Sequence, residues 1–445
     1  MPRMIWGILW ALACAMGFVG TGCGPVNPGP SSEGTQVSPA GGQGAVVGAA
    51  TAGDAATAAE TEPADNPGDP EPRPEMPPRQ LTDAQLAEGW VSLFDGRTLF
   101  GWNLEGEADW RIEEDGLIVS AEQPAALVTS TQFADFVLRV EVRSEPGTSG
   151  GLLLHAPALP EDPATESYLL NIAAGDEAYP TGSLVGRARS EVEIASEEWQ
   201  EYEVRVAGET VAVSVAGETI LTYTDPEPLR RGRLGFHVAS GQLAFRHMWL
   251  QPAGLESIFN HEDLTGWVTF PERESRFTVT DDGWMRVEDG PGQLETEPSY
   301  GDFVLQLQCK THAPELNSGI FFRCIPGDPM NGYESQIHNG IVDGDRSRPT
   351  DCGTGGIFRR QDARFVAADD NAWFYKTILV AGPHMTVWVN GLQVSDWTDT
   401  REPDENPRRG LRLEPGTIQI QGHDPTTDLV FREFWAAELP ARAAP

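Results

Sequence analysis

Lysine is almost absent from this 445-residue chain, and positive charge is scarce altogether. Lys and Arg total 31 against 67 Asp and Glu, a formal charge of -36. Such a field repels phosphate backbones and anionic headgroups. The basic residues form only short doublets, Arg230-Arg231, Arg359-Arg360 and Arg408-Arg409, so no nucleic-acid partner is expected. Cysteine is sparse as well. Beyond Cys14 and Cys23 only Cys309, Cys324 and Cys352 occur, and no Cys-x-x-Cys is present, which argues against structural zinc. Three thiols permit at most one internal disulfide and leave the pair open. Helix-length apolar stripes are missing, and after the N-terminal segment no apolar run is long enough to span a bilayer.

What is present begins with a targeting segment. Arg3 precedes an uncharged apolar run from Met4 to Val19, followed by Gly20-Thr21-Gly22-Cys23. These residues resemble the lipobox of bacterial lipoproteins, with Gly20 where Leu is usual. The resemblance implies a signal peptide at 1–22, lipidation at Cys23, export and a membrane-anchored partner surface; the alternative is an uncleaved membrane anchor. Residues 23–80 are rich in Pro, Gly, Ala, Ser, Thr and Glu and hold no aromatic residue. Such a stretch cannot bury enough apolar surface to offset its ordering entropy, so a disordered linker reaching on the order of 40 Å is expected.

The body repeats itself at a spacing of about 165 residues. Ser92-Leu93-Phe94-Asp95-Gly96 through Gly101-Trp102 returns as Ser257-Ile258-Phe259-Asn260 through Gly266-Trp267. Phe133-Ala134-Asp135-Phe136-Val137-Leu138 returns as Tyr300-Gly301-Asp302-Phe303-Val304-Leu305, and each copy closes on an aromatic segment ending at Trp249 or Trp435. Val204 to Val206, Val211 to Val215, Val304 to Cys309 and Thr386 to Val389 alternate with period two between Gly- and Asp-rich turns. Only Asp83 to Gly89, capped by Thr82 or Asp83, reads as a helical turn. Many short strands with tight turns predict an all-β chain of two tandem β-sandwiches, at 90–252 and 254–440.

Asn317-Ser318-Gly319-Ile320-Phe321-Phe322-Arg323, Gly332-Tyr333-Glu334-Ser335-Gln336-Ile337 and Val389-Asn390-Gly391 stand in the second repeat. With the Leu-Phe-Asp-Gly opening, these motifs resemble the 3-keto-disaccharide hydrolase domain family, whose fold is the concanavalin A-like jelly roll of lectins and glucanases. The resemblance implies a carbohydrate substrate. The paired-carboxylate strand of bacterial glucanases is absent from both repeats. A 3-keto sugar needs one base, because its ketone acidifies the C2 hydrogen and the glycosidic oxygen then leaves by elimination before water adds.

Glu334, Gln336 and His338 sit at i, i+2 and i+4, on one face of one strand. Glu334 is the candidate base, with Arg323, His338 and Arg359 to stabilise the enediolate charge and Gln336 to orient sugar hydroxyls. Tyr333 and Trp373 are candidate stacking residues, and His423 and Asp424 candidate lining residues. A divalent metal, if one is used, would fall to His338, Glu334 or His423, but no ligand spacing is specific. The first repeat carries His155, Leu169, Asn171 and Ala173 at the stations of Arg323, Glu334, Gln336 and His338, so it is expected to be a degenerate copy. The other Trp residues at repeat ends, Trp102, Trp110, Trp249, Trp267 and Trp435, are expected to pack. Two other readings remain: a non-catalytic glycan-binding lipoprotein, and a structural envelope protein whose polar strand is ordinary solvated surface.

Overall fold

The computed structural model describes residues 74–114, 116–173 and 178–441. The expected signal peptide, Cys23 and most of the expected linker lie outside the described residues. Residues 74–80, assigned to the linker by composition, are docked rather than free. Pro77 is buried, Gln80 accepts from Ser92, and Arg97 reaches Glu75. The expected helical turn is Asp83–Ala87, with Thr82 and Gln85 forming a reciprocal capping box.

Beyond that turn the chain is almost wholly β, two tandem jelly-roll sandwiches of matching topology. In the first, the back sheet runs Glu218–Thr224, Thr210–Val215, Gln200–Ala207, Phe136–Ser144, Arg233–Pro252, Gly116–Ala121, Asp109–Glu113. In the second it runs Leu392–Thr398, His384–Val389, Phe374–Ala381, Phe303–Thr311, Asp428–Glu438, Met285–Glu288, Arg276–Val279. The second front sheet is ordered Trp267–Thr269, Gly292–Thr296, Thr417–Gly422, Ser318–Cys324, Tyr333–Ile337. In the first repeat the 20-residue strand Arg233–Pro252 serves both sheets; in the second its counterpart is split into Thr417–Gly422 and Asp428–Glu438. Alternation explains the layers. In Gln200–Ala207, Tyr202, Val204 and Val206 are buried while Glu201, Arg205 and Ala207 are exposed.

Matching ties hold each copy together. Trp102 Nε1 donates to Leu93 O and Trp267 Nε1 to Ile258 O. Tyr168 donates to Asp225 and Tyr333 to Asp399. Cys309, Cys324 and Cys352 are all buried free thiols. The two sandwiches share a seam: Trp388, Leu379 and Ala381 of the second join the core of the first. There Trp388 Nε1 donates to Ser92 O, and Arg364 pairs with Asp95 at 2.6 Å with both side chains largely buried.

Candidate functional site

On the second front sheet, Leu294, Ile420, Ile320, Phe322, Tyr333 and Ile337 face the core. The alternate residues face away and form two cross-strand rows. One row reads Glu334, Phe321, Gln419, Glu295 and the other Gln336, Gly319, Gln421, Gln293, as the pairing registers dictate. Gly319 lets the Glu334 side chain lie close, because a Cβ there would stand 2.7 Å from Glu334 Oε1 and push that side chain aside.

The same registers in the first sandwich give Leu169, Leu153, Gly235, Val128 and Asn171, Gly151, His237, Ala126. Ala126, Val128, Leu153 and Leu169 pack there as a small apolar cluster. One topology therefore presents a largely apolar face in the first copy, broken by Asn171 and His237, and a carboxylate- and amide-rich face in the second.

Glu334 is 5 % exposed, and its Oε2 accepts from Arg408 Nη2 at 3.0 Å. Burial pushes its carboxyl above the usual range, while Arg408 and Lys376 oppose without cancelling the effect. Arg408 arrives on the loop before Thr417–Gly422, lies over the Phe321 ring and donates through Nε to Met330 O. Beneath the strand, on the core side, buried Lys376 donates from Nζ to the Ser335 and Gln336 carbonyls, both at 2.9 Å. Burial pulls its ammonium down to about 7, against the opposing pull of Cys309, Glu334 and Cys352. Its counterpart in the first copy, by strand register, is Tyr202, whose buried hydroxyl has no hydrogen-bond partner.

Gln336 donates to Asp351, and neighbouring His338 accepts from the Gly340 amide and meets Thr350, so both engage one turn. Asn317 also donates to Asp351. At the far end of the rows, both oxygens of Glu295 accept from the Gly327 amide at 3.1 Å and one accepts from Gln419 at 2.7 Å. The segment 325–332 lies across this face: Met330 N donates to Gln419, and Met330 Sδ accepts from Gln421. On this face Gln293 Nε2 and Oε1, Gln421 Oε1 and Gln336 Oε1 are buried without a hydrogen-bond partner. Three interstrand spacings, about 14 Å, separate the Glu334 and Glu295 strands, too far for a two-carboxylate glycosidase pair.

Four of the expected site residues stand elsewhere. Arg323 is wholly buried, donating to Gly301 O, Gly382 O, Arg412 O and Asp302, and so braces loops instead of facing Glu334. The reason is local: Arg323 has φ 49 at a register shift in its strand, which breaks the alternation that would place it beside Phe321. His155, φ 55, performs the same bracing in the first copy through Ala134 O. Tyr333 is a core residue, stacked on Phe322, because it precedes Glu334 and so faces inward. Trp373 lies beside the back sheet, edge-on to Trp284 and beneath Arg432. Arg359 sits exposed at a turn against Phe358.

His423 and Asp424 pair with each other at 2.7 Å on the turn after Thr417–Gly422, and contacts from Thr426 and His423 lower the Asp424 carboxyl to about 2. They border the sheet without touching Glu334. Trp435, expected to pack, is 39 % exposed. The residues with no place in the expected set are Arg408, Lys376, Gln293, Glu295, Gln419 and Gln421. The period-two pairs Gln293/Glu295 and Gln419/Gln421 carried a readable signal, whereas Arg408 is a loop residue 74 positions from its partner. Among the described residues no three His, Cys, Asp or Glu side chains group as metal ligands, with Glu334 turned to Arg408 and His423 to Asp424, so no metal step is derived.

A putative glycosyl hydrolase from Parabacteroides distasonis is 22 % identical over 42 % of this chain and 100 % of its own, with a TM-score of 0.35. A second from the same organism is 18 % identical over 42 % of this chain and 94 % of its own, TM-score 0.36. The Bacillus licheniformis beta-glucanase is 16 % identical over 42 % and 98 %, TM-score 0.29. No curated protein matches the chain. The 3-keto-alpha-glucoside-1,2-lyase-like domain matches at residues 89–251 and again at 254–437. With both copies matched across most of its length, the chain belongs to the 3-keto-alpha-glucoside-1,2-lyase-like domain family.

Proposed function

We propose that the second sandwich cleaves 3-keto-glycosides, with Glu334 as the base, and that the first is a scaffold. Family membership supports a carbohydrate-active role. The observation that carries the finer reading is the contrast between copies: the structural ties recur in both, but the polar face with its desolvated carboxylate exists only in the second. Glu334 takes the C2 proton, the electron pair forms a C1–C2 double bond, and the C1–oxygen bond breaks as the leaving oxygen gains a proton. Water then adds across the double bond, its hydroxyl to C1 and a proton to C2, for net hydrolysis. Arg408 replaces Arg323 as the cation beside the base, and Gln336 and His338 supply hydrogen bonds at its flank. The sugar reaches Glu334 once segment 325–332 moves off the amides it covers.

Glu334→Gln in the full chain is expected to lower turnover of a 3-keto-glucoside by about a hundredfold or more without changing the fold. Wild-type rates in that variant would end the assignment. A second reading, glycan binding without chemistry, is favoured by the unpartnered amide atoms of Gln293, Gln336 and Gln421, which suit hydroxyl recognition alone. Release of product from a keto-sugar, against mere binding of an unmodified glycan, separates the two. We further propose export and lipidation at Cys23; metabolic labelling with palmitate, lost in Cys23→Ser, is the test.

A further inference from the structure

A second polar cleft, of about 370 Å³, opens where the two sandwiches meet, on the seam and away from the Glu334 face. The size lies within the range of small-ligand pockets, about 300–1,000 Å³. Asn103, Ser130, Thr131, Gln132 and Arg233 line it from the first sandwich; Pro383, His384, Asp396 and Thr398 come from the second.

Its charged groups are held by protein contacts. Asp396 Oδ1 accepts from Ser130 at 2.5 Å, from His384 Nε2 at 3.0 Å, from Gln393 at 3.2 Å and from Thr386 at 3.3 Å. The His384 Nδ1 side meets Thr398 at 2.7 Å. Arg233 donates to the carbonyls of Thr129 and Ser130. Two neutral groups are not satisfied. Thr131 is 2 % exposed with an unpartnered Oγ1, and the buried Oε1 of Gln132 also lacks a partner. A buried polar atom left unmatched costs about 1–3 kcal/mol, so each is a standing invitation to a hydrogen-bonding group.

We propose that this cleft binds a neutral, monosaccharide-sized polyol. Its unmatched groups are a hydroxyl and an amide oxygen, with a further amide at Asn103, and both accept from alcohols. The Asp396 carboxylate and the Arg233 guanidinium carry opposite charges, so the cleft has little net charge to favour an anionic or cationic ligand. Among the described residues no Phe, Tyr or Trp lines the cleft, and the one ring there, His384, is held by Asp396 and Thr398. Both sandwiches contribute, so occupancy cross-links them.

The test is titration of the full chain with D-glucose and with D-mannitol, followed by calorimetry or ligand-observed NMR. Saturable binding is expected for at least one. Thr131→Val and Gln132→Leu should each weaken it about tenfold. Neither should lower the melting temperature, because each removes an unmatched polar atom; a purely structural role for either residue would lower it. Glu334→Gln should leave this binding unchanged. No saturable binding of either polyol, unaltered affinity in both seam variants, or loss of binding in Glu334→Gln would each overturn the proposal. The last outcome would place the sugar on the second front sheet, and failure of Glu334→Gln to affect turnover bears only on the catalytic reading.

Discussion

Three side chains meeting from different elements set the chemistry of the polar face at the residue scale. Glu334 is desolvated, Arg408 holds one of its oxygens from above, and Lys376 ties the strand carbonyls from below. A base works once deprotonated, so activity should rise with pH through the elevated Glu334 value. Arg408→Met removes the cation that restrains this elevation, and the rising limb of kcat/KM should move to higher pH. A limb that stays in place would show Arg408 to be electrostatically idle. Lys376 has the opposite signature. Its folded value near 7 lies below the unfolded value of 10.5, so between these pH values the unfolded chain holds a proton that the native state lacks. Stability should therefore rise across that window by about 1.4 kcal/mol per pH unit. In Lys376→Met this rise should vanish, as read from urea midpoints measured at several pH values.

Individual strands explain both what was legible in the chain and what was not. Alternation in Gln293-Leu294-Glu295, Tyr333-Glu334-Ser335-Gln336 and Gln419-Ile420-Gln421 is visible in the residues themselves, and the structure orders these strands as neighbours with only Ser318–Cys324 between. The sandwich class, the repeat and the inward Val and Phe positions follow from the same period. Arg323 escaped that logic because one left-handed residue reverses the facing of a strand without any mark in the sequence. Tyr333 and Trp373 were misplaced for a different reason: aromatic residues serve core and ligand equally well, and only the register separates them. Arg408 depends on long-range closure of a loop, which periodicity does not encode. Gly319 permits a test at this scale. Gly319→Ala sets a methyl group against Glu334 and should cut turnover by about tenfold to a hundredfold while far-ultraviolet circular dichroism stays unchanged. Normal turnover would show that Glu334 has slack to give.

For the whole molecule the seam matters most. Trp388 of the second sandwich is 1 % exposed within the core of the first, and the Arg364–Asp95 pair is largely shielded from water. The halves should therefore unfold in one transition. Arg364→Met leaves Asp95 without its buried counter-charge and should cost about 3 kcal/mol in denaturant titrations; a loss near zero would mean that the seam is held by packing alone. Burial raises the Asp95 carboxyl, but Thr98, Arg364 and Arg97 outweigh it and hold the group below the usual range. The contribution is accordingly present at neutral pH and lost as pH falls through that lowered value.

The segment before the first sandwich carries a mechanical corollary. Met76 to Leu81 run past Asp95 on one side and Arg346, Asp369 and Asn390 on the other. A pull on the chain from its N-terminal side thus loads the joint between the sandwiches, spreading tension over both halves where a conventional leader would peel away the nearest strand.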